Sequence, residues 1–146
     1  MHGLHLTADL AGCPPRCAPM TSIEALRGLC LDAVAAAGLT PVGELFHRFP
    51  VRTDGALDAA GASSAGPGGG ITGVVLLAES HLAVHTWPEL RAVTLDVYVC
   101  NLGADNSARA EALLRALIEA FAPGRIERQA IERGRLGAAH ASTRAA

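Results

Sequence analysis

The 146-residue sequence contains no lysine, because the twelve residues counted as Lys plus Arg are all arginine. Lysine forms Schiff bases with carbonyl substrates and anchors pyridoxal phosphate. It also completes the phosphate-binding G-x-x-x-x-G-K-[ST] loop. A lysine-bound pyridoxal phosphate and a loop of this kind are therefore excluded. Aromatic residues are scarce too, with three Phe, one Tyr and a single Trp.

The sequence also lacks strong charge of one sign and long apolar runs. The formal net charge is −2 and no long basic run occurs, so we expect no nucleic-acid partner. No apolar stretch reaches the roughly 18 residues of a transmembrane helix, so we expect no membrane span. The four cysteines do not have the spacing of a secreted disulfide framework. No signal peptide is evident at the N-terminus, and we therefore expect a reducing cytoplasm.

Hydrophobic periodicity predicts a single domain over residues 1–146, with the element order β-α-β-β-β-β-α-β. This order predicts an α+β fold, in which an antiparallel sheet carries two helices on one face and leaves the other face bare. Residues 52–70, rich in Gly, Ala and Ser, are predicted to be a flexible insert, and residues 137–146 a disordered tail. The predicted strands cover 4–11, 39–49, 71–78, 80–86, 92–100 and 125–131, and the helices 22–37 and 107–121.

Chemically versatile side chains are concentrated in residues 78–89, which hold two His, two Glu, one Ser and the only Trp. An exposed hairpin with polar residues on one face would have a similar composition. Three spacings in and around the segment favour a functional site over that structural alternative.

The first spacing places Ser80 beside Cys100. A hairpin turn centred on residue 90 sets these two residues directly opposite each other. Opposed residues of antiparallel strands share a face, with Cβ atoms about 4.5–5.5 Å apart. A hydroxyl and a thiol are therefore predicted at one point near the strand ends. The structural alternative for Cys100 is a small buried core residue.

The second spacing separates Ser80 from His85. Five residues of strand span about 16 Å and reverse the face. We therefore expect His85 to reach Ser80 only from a second copy of the chain, in a two-fold dimer. The separation argues against a Ser-His-Asp triad within one chain. His81 and His85 lie about 13 Å apart on a strand, which disfavours a metal site.

The third spacing places Thr72 across the preceding hairpin from the region of His85 to Trp87. The Thr72 hydroxyl would orient the imidazole or donate a hydrogen bond to it. A β-branched residue that merely suits a strand is the alternative.

The sequence Glu-Ser-His-Leu-Ala-Val-His-Thr-Trp-Pro-Glu at residues 79–89, followed by Asp-Val-Tyr-Val-Cys at 96–100, resembles the core of the prokaryotic S-adenosylmethionine decarboxylase proenzymes. Further agreement, in the same order along the chain, extends the resemblance over residues 3 to about 136, excluding the insert. The agreeing segments are residues 3–6, 8–9, 46–49, 73–75 and 132–135.

The resemblance implies that the chain cuts itself between Glu79 and Ser80, giving chains 1–79 and 80–146. The serine oxygen attacks the preceding carbonyl to form an ester, and β-elimination and hydrolysis then leave a pyruvoyl group in place of Ser80. That group forms a Schiff base with S-adenosylmethionine and acts as electron sink for the loss of carbon dioxide, as pyridoxal phosphate does elsewhere. The product, S-adenosyl 3-(methylsulfanyl)propylamine, serves spermidine biosynthesis. Neither pyridoxal phosphate nor a metal is implied.

By position, the resemblance makes His85 the proton acceptor in processing and Cys100 the proton donor in catalysis. Thr72 stands where the family usually has a processing serine, so a hydroxyl is kept and a methyl group is added. The family's active sites lie between two copies of the fold, which implies a homodimer of cleaved protomers.

Three further residues match substrate-binding positions of the family. Phe49 and Trp87 match aromatics that sandwich adenine, and Glu89 matches a carboxylate that binds the ribose hydroxyls. Packing in the core or at a strand end is the structural alternative for all three. Two other functions stay open: a pyruvoyl-dependent arginine or ornithine decarboxylase, and a non-enzymatic regulatory homologue.

Overall fold

A computed structural model describes residues 2–49 and 69–134 of the chain. The predicted tail, and the predicted insert except for Gly69 and Gly70, lie outside these residues. The elements in chain order are β1 (Gly3–Ala11), α1 (Ala18–Thr21), α2 (Ile23–Ala36), β2 (Pro41–Arg48), β3 (Ile71–Leu77), β4 (Ser80–Trp87), β5 (Ala92–Cys100), α3 (Ser107–Phe121) and β6 (Arg125–Arg133).

The strands form one six-stranded sheet in the order β2-β3-β4-β5-β1-β6, and every neighbouring pair is antiparallel. Strands β3, β4 and β5 follow one another as hairpins, which places residues 71–100 in the middle of the sheet. The predicted α+β fold and its order of long elements are confirmed.

Two short elements were not predicted: the four-residue helix α1 and a 3-10 turn at Pro88–Leu90. Four residues are too few to show a helical period, so the sequence pattern could not reveal α1. The sequence offers Thr21 or Ser22 as the cap of α2, and the structure uses Ser22, whose hydroxyl accepts a hydrogen bond from the Ala25 N–H at 3.2 Å. Asn106 stands at the N-cap of α3 but makes no side-chain cap bond. Its amide instead donates to the Cys100 carbonyl at 2.8 Å.

The core lies between one face of the sheet and the helices α2 and α3. It alternates along the strands as a half-covered sheet requires, with Leu6, Leu82 and Val97 buried and α3 contributing Leu113 and Phe121. The side chains between them in sequence point to the opposite face and are only half-buried. This second set includes Thr7, His81, Ala83, His85, Thr94, Asp96 and Tyr98.

We call this second side of the sheet the open face. Within residues 2–49 and 69–134, the helices α2 and α3 pack on the other side of the sheet, as predicted. Strand β6 is exposed along its whole length, at the edge of the sheet. None of the helices within residues 2–49 and 69–134 is long and apolar enough to cross a membrane.

Candidate active site

Ser80 lies directly after the tight turn that joins β3 to β4. Leu77 pairs with Ser80 across the hairpin, so Ala78 and Glu79 form a two-residue turn, and both are exposed. The peptide bond between Glu79 and Ser80 therefore stands at an exposed corner of the sheet. The Ser80 hydroxyl accepts a hydrogen bond from the backbone N–H of Cys100 at 3.0 Å.

The contact between Ser80 and Cys100 was predicted, but the register behind it was wrong by one residue. Strand β4 pairs His81 with Tyr98 and Trp87 with Ala92. By alternation, Cys100 then continues the open-face set of β5, whereas Ser80 belongs to the opposite set of β4. The two residues meet through the backbone N–H of Cys100 rather than through side chains on a shared face.

The physical reason for the shift is the connection between β4 and β5. It is a four-residue 3-10 turn that ends in the left-handed residue Arg91, with φ of 53°. This turn is centred between residues 89 and 90 rather than on residue 90. The side chain of Cys100 is buried, with 7% of its surface exposed, and its backbone N–H makes the contact with Ser80.

His85 occupies the open face near the far end of β4. It pairs with Thr72 on β3, and the Thr72 hydroxyl lies 3.1 Å from the His85 Nδ1 atom. The predicted contact between this hydroxyl and the imidazole is therefore confirmed. Among the described residues, no side chain hydrogen-bonds to the other ring nitrogen of His85.

The rings of His85, Trp87 and Phe49 contact one another in that order. The His85 ring stacks on Trp87, with centroids 5.8 Å apart and planes at 29°. Trp87 in turn lies against Phe49, with a centroid distance of 6.4 Å. We call Phe49, Thr72, His85 and Trp87 the imidazole cluster. Glu89 is exposed in the following 3-10 turn, two residues beyond Trp87.

The sequence-predicted residues therefore fall into two groups at opposite ends of β4. Ser80 and Cys100 form one, and the imidazole cluster forms the other. Ser80 and His85 have opposite parity on the strand, and five residues of strand separate them by about 16 Å. Within the described chain, the structure does not bring the two groups together.

A further polar network on the open face was not predicted. Asp96 accepts from His5 Nε2 at 2.7 Å and lies 3.2 Å from His81 Nε2, and Arg133 lies 3.1 Å from His5 Nδ1. Because arginine only donates, His5 carries its proton on Nε2 and donates it to Asp96. The network fixes His81, the residue after Ser80. The strand register could have indicated this network, because it pairs both His5 and His81 with Tyr98.

Cys13, Cys17 and Cys30 belong to neither group of site residues. All four cysteines are unpaired, in agreement with the absence of a disulfide framework. Burial raises the pKa of the Cys30 thiol to about 12. Burial also raises the pKa values of Cys13 and Cys17. Within residues 2–49 and 69–134, no three His, Cys, Asp or Glu side chains are arranged to hold a metal ion.

The fold and the site together define an α+β protein with a serine directly after an exposed hairpin turn and an imidazole near the other end of the same strand. The sequence profile of the S-adenosylmethionine decarboxylase family matches residues 4–134, and the chain belongs to this family.

Individual relatives agree over most of their length. The S-adenosylmethionine decarboxylase proenzyme of Aquifex aeolicus is 35% identical over 90% of this chain and 81% of the relative. The proenzyme of Thermomicrobium roseum is 33% identical over 90% and 93% of the two chains. The crystal structure of the Aquifex aeolicus adenosylmethionine decarboxylase superposes with a TM-score of 0.70 at 34% identity and covers 90% of each chain.

Proposed function

We propose that the chain is a self-processing decarboxylase that cuts itself between Glu79 and Ser80. The mature enzyme converts S-adenosylmethionine to S-adenosyl 3-(methylsulfanyl)propylamine and carbon dioxide, for spermidine biosynthesis in the cytoplasm. The observation that carries this proposal is the Ser80 hydroxyl, which directly follows an exposed two-residue turn and accepts a hydrogen bond from the Cys100 N–H at 3.0 Å.

The surroundings of Ser80 suit both processing and the pyruvoyl group that processing would leave. The tight turn exposes the Glu79 carbonyl to attack by the serine oxygen, and the Cys100 N–H fixes that oxygen. After cleavage, residue 80 keeps its peptide link to His81, which Asp96 holds from the side. The pyruvoyl group supplies the electron sink for decarboxylation, so neither pyridoxal phosphate nor a metal is needed.

Two side chains then handle protons. His85, with Thr72 at its Nδ1 atom, takes the α-proton of Ser80 during processing. The buried Cys100 thiol returns a proton to the decarboxylated carbon. General acid and base groups of this kind must lie within hydrogen-bond reach of the reacting atom.

His85 meets that requirement only if a second protomer supplies it. The strand separates it from Ser80 of its own chain by about 16 Å and turns it to the other face. A two-fold homodimer that buries the open faces would bring His85 of one chain to Ser80 of the other, and symmetry would create two such sites. The half-buried side chains of the open face support this arrangement.

The rest of the imidazole cluster would come with His85 from the same chain. Phe49 and Trp87 are in contact and offer aromatic surface for the adenine ring. Glu89 follows in the next turn, exposed to accept hydrogen bonds from the ribose. Arginine and ornithine have neither adenine nor ribose, so this pair of rings favours S-adenosylmethionine as substrate.

Intact-mass measurement of the purified protein tests the proposal directly. We expect two chains that correspond to 1–79 and 80–146, with the second beginning in a pyruvoyl group. The Ser80→Ala variant should stay whole. Release of carbon dioxide from labelled S-adenosylmethionine, arginine and ornithine then identifies the substrate. A full-length wild-type chain after long incubation would overturn the proposal.

Mixing variants tests the shared site. A His85→Ala chain keeps Ser80, and a Ser80→Ala chain keeps His85, so each is inactive alone. In co-expressed mixtures we expect cleavage of the His85→Ala chain only, which mass spectrometry distinguishes. A partner that carries both substitutions is the control and should restore nothing. An uncut His85→Ala chain in the first mixture would contradict processing between protomers.

A further inference from the structure

Arg48 is the last residue of β2 and joins two parts of the chain that are distant in sequence. Its guanidinium donates to the Thr21 carbonyl at 2.6 Å and to the Gly69 carbonyl at 3.0 Å. Thr21 ends α1, and Gly69 leads into β3. One planar fork therefore holds the end of a helix and the start of a strand at fixed positions, which arginine does better than lysine.

Residues 69–70, which Arg48 holds, lie against the Phe49 ring. Phe49 donates its backbone N–H to the Gly70 carbonyl at 3.0 Å. The ring lies so close to Gly70 that a Cβ atom there would collide with it and with the Thr86 carbonyl oxygen. The position of residues 69–70 therefore determines where the Phe49 ring can lie.

The same helix end also holds the strand that carries His85 and Trp87. Thr86, between them, is fully buried. Its hydroxyl donates to the Met20 carbonyl at 3.0 Å and accepts from the Ile71 N–H at 3.0 Å. The last carbonyls of a helix have no partner within the helix. In α1, two of them are satisfied by Thr86, which precedes Trp87, and by Arg48, which precedes Phe49.

We propose that Arg48 is a positioning residue for Phe49 and Trp87, and that it keeps the two rings at the separation and orientation in which they bind the substrate. The part that concerns the substrate rests on the proposed function. Strands β2 and β3 are neighbours in the sheet, yet residues 49–70 lie between them in sequence, a connection far longer than a two-residue hairpin turn. The hydrogen bonds from the Arg48 guanidinium and from the Phe49 N–H therefore fix the distance between Phe49 and Gly70.

The experiment compares Arg48→Ala and Arg48→Lys with a matched control, Arg27→Ala. Arg27 also reaches β2, through Glu44 on the surface, and makes no described contact with the rings. Trp87 is the only tryptophan, so its fluorescence quenching by acrylamide reports on the aromatic pair without any need for activity. Steady-state kinetics of the cleaved variants with S-adenosylmethionine supplies the second readout.

In Arg48→Ala we expect acrylamide quenching of Trp87 to rise about two-fold. KM should rise about ten-fold, the size expected when a charge-assisted hydrogen bond no longer holds a binding group, while kcat changes less than about two-fold. Arg48→Lys keeps the charge but has a single nitrogen in place of the planar fork that reaches both carbonyls, so its quenching and KM should fall between those of the wild type and Arg48→Ala. It also keeps the test valid if Arg48→Ala fails to fold. Arg27→Ala should match the wild type in both readouts.

If both Arg48 variants show the same acrylamide quenching and the same KM as the wild type, the proposal is wrong. A fall in kcat with KM unchanged would also overturn it, because that pattern would place Arg48 in the chemistry rather than in positioning. If the wild-type chain is never cleaved, the proposed function fails, and the quenching comparison in the uncut protein still decides whether Arg48 holds the rings.

Discussion

Replacing Thr86 by valine tests whether the buried hydroxyl holds β3, β4 and α1 together. Valine keeps nearly the same shape but can neither accept from the Ile71 N–H nor donate to the Met20 carbonyl. Both bonds are 3.0 Å long and lie in the interior. The variant therefore leaves one donor and one acceptor buried without a partner.

The expected loss of stability follows from these two groups. Each unpaired buried group costs roughly 1–3 kcal/mol, and the added methyl group recovers roughly 1 kcal/mol of hydrophobic burial. The net loss in the free energy of unfolding is then about 3 kcal/mol. With a urea m-value in the range of about 1–3 kcal/mol per molar, the unfolding midpoint falls by roughly 1–3 M.

Urea unfolding, followed by circular dichroism and Trp87 fluorescence, measures this change. Both proteins should carry Ser80→Ala, so that one uncut chain unfolds, and should be compared at one concentration, because association raises apparent stability. Thr40→Val, at an exposed position outside the strands, is the control and should shift stability by less than about 0.5 kcal/mol. An equally small effect of Thr86→Val would refute the reasoning.

Three further predictions concern the hydroxyl at His85, a buried thiol and two glycines. The hydroxyl of Thr72 contacts the imidazole of His85 at 3.1 Å. Thr72→Val should therefore slow self-cleavage about ten-fold, whereas Thr72→Ser should not slow it. A time course of the appearance of the two cleaved chains on gels measures both rates. Burial raises the pKa of Cys30 from 9.0 to about 12. The stabilisation that the buried neutral thiol provides is therefore complete below pH 9 and is lost as the pH rises towards 12. Between pH 8 and 11, the urea midpoint should fall less in Cys30→Ala than in the wild type. Gly70→Ala should lower the melting temperature because a Cβ there meets backbone and ring atoms, whereas Gly28→Ala, with open space around it inside α2, should leave it unchanged or raise it through better helix propensity.

The sequence predicted the long elements well because each is governed by short-range patterns. Alternation of apolar residues defined the strands, and the cap at Ser22 began the helix α2 where the structure has it. The contact of Thr72 with His85 was also predictable, since a tight two-residue turn leaves β3 and β4 only one register.

The prediction was right that Ser80 and Cys100 are in contact, but it was wrong in its register and in placing their side chains on one face. Counting from a presumed turn centre cannot resolve a 3-10 turn that closes through the left-handed Arg91. One residue of slip reverses the face of every side chain on a strand. Roles drawn from the family resemblance for Ser80, His85 and Cys100 stay predictions until cleavage is measured.

The sequence by itself determined the order of the elements, the bare face of the sheet and the position of Ser80 beside a turn, because hydropathy and turn residues act over a few positions. Only the tertiary structure decided which groups Arg48 and Thr86 satisfy and how Asp96 joins His5 to His81. These bonds connect residues from 15 to 91 positions apart. Such contacts depend on how helices and strands pack, and no local pattern in the chain encodes them.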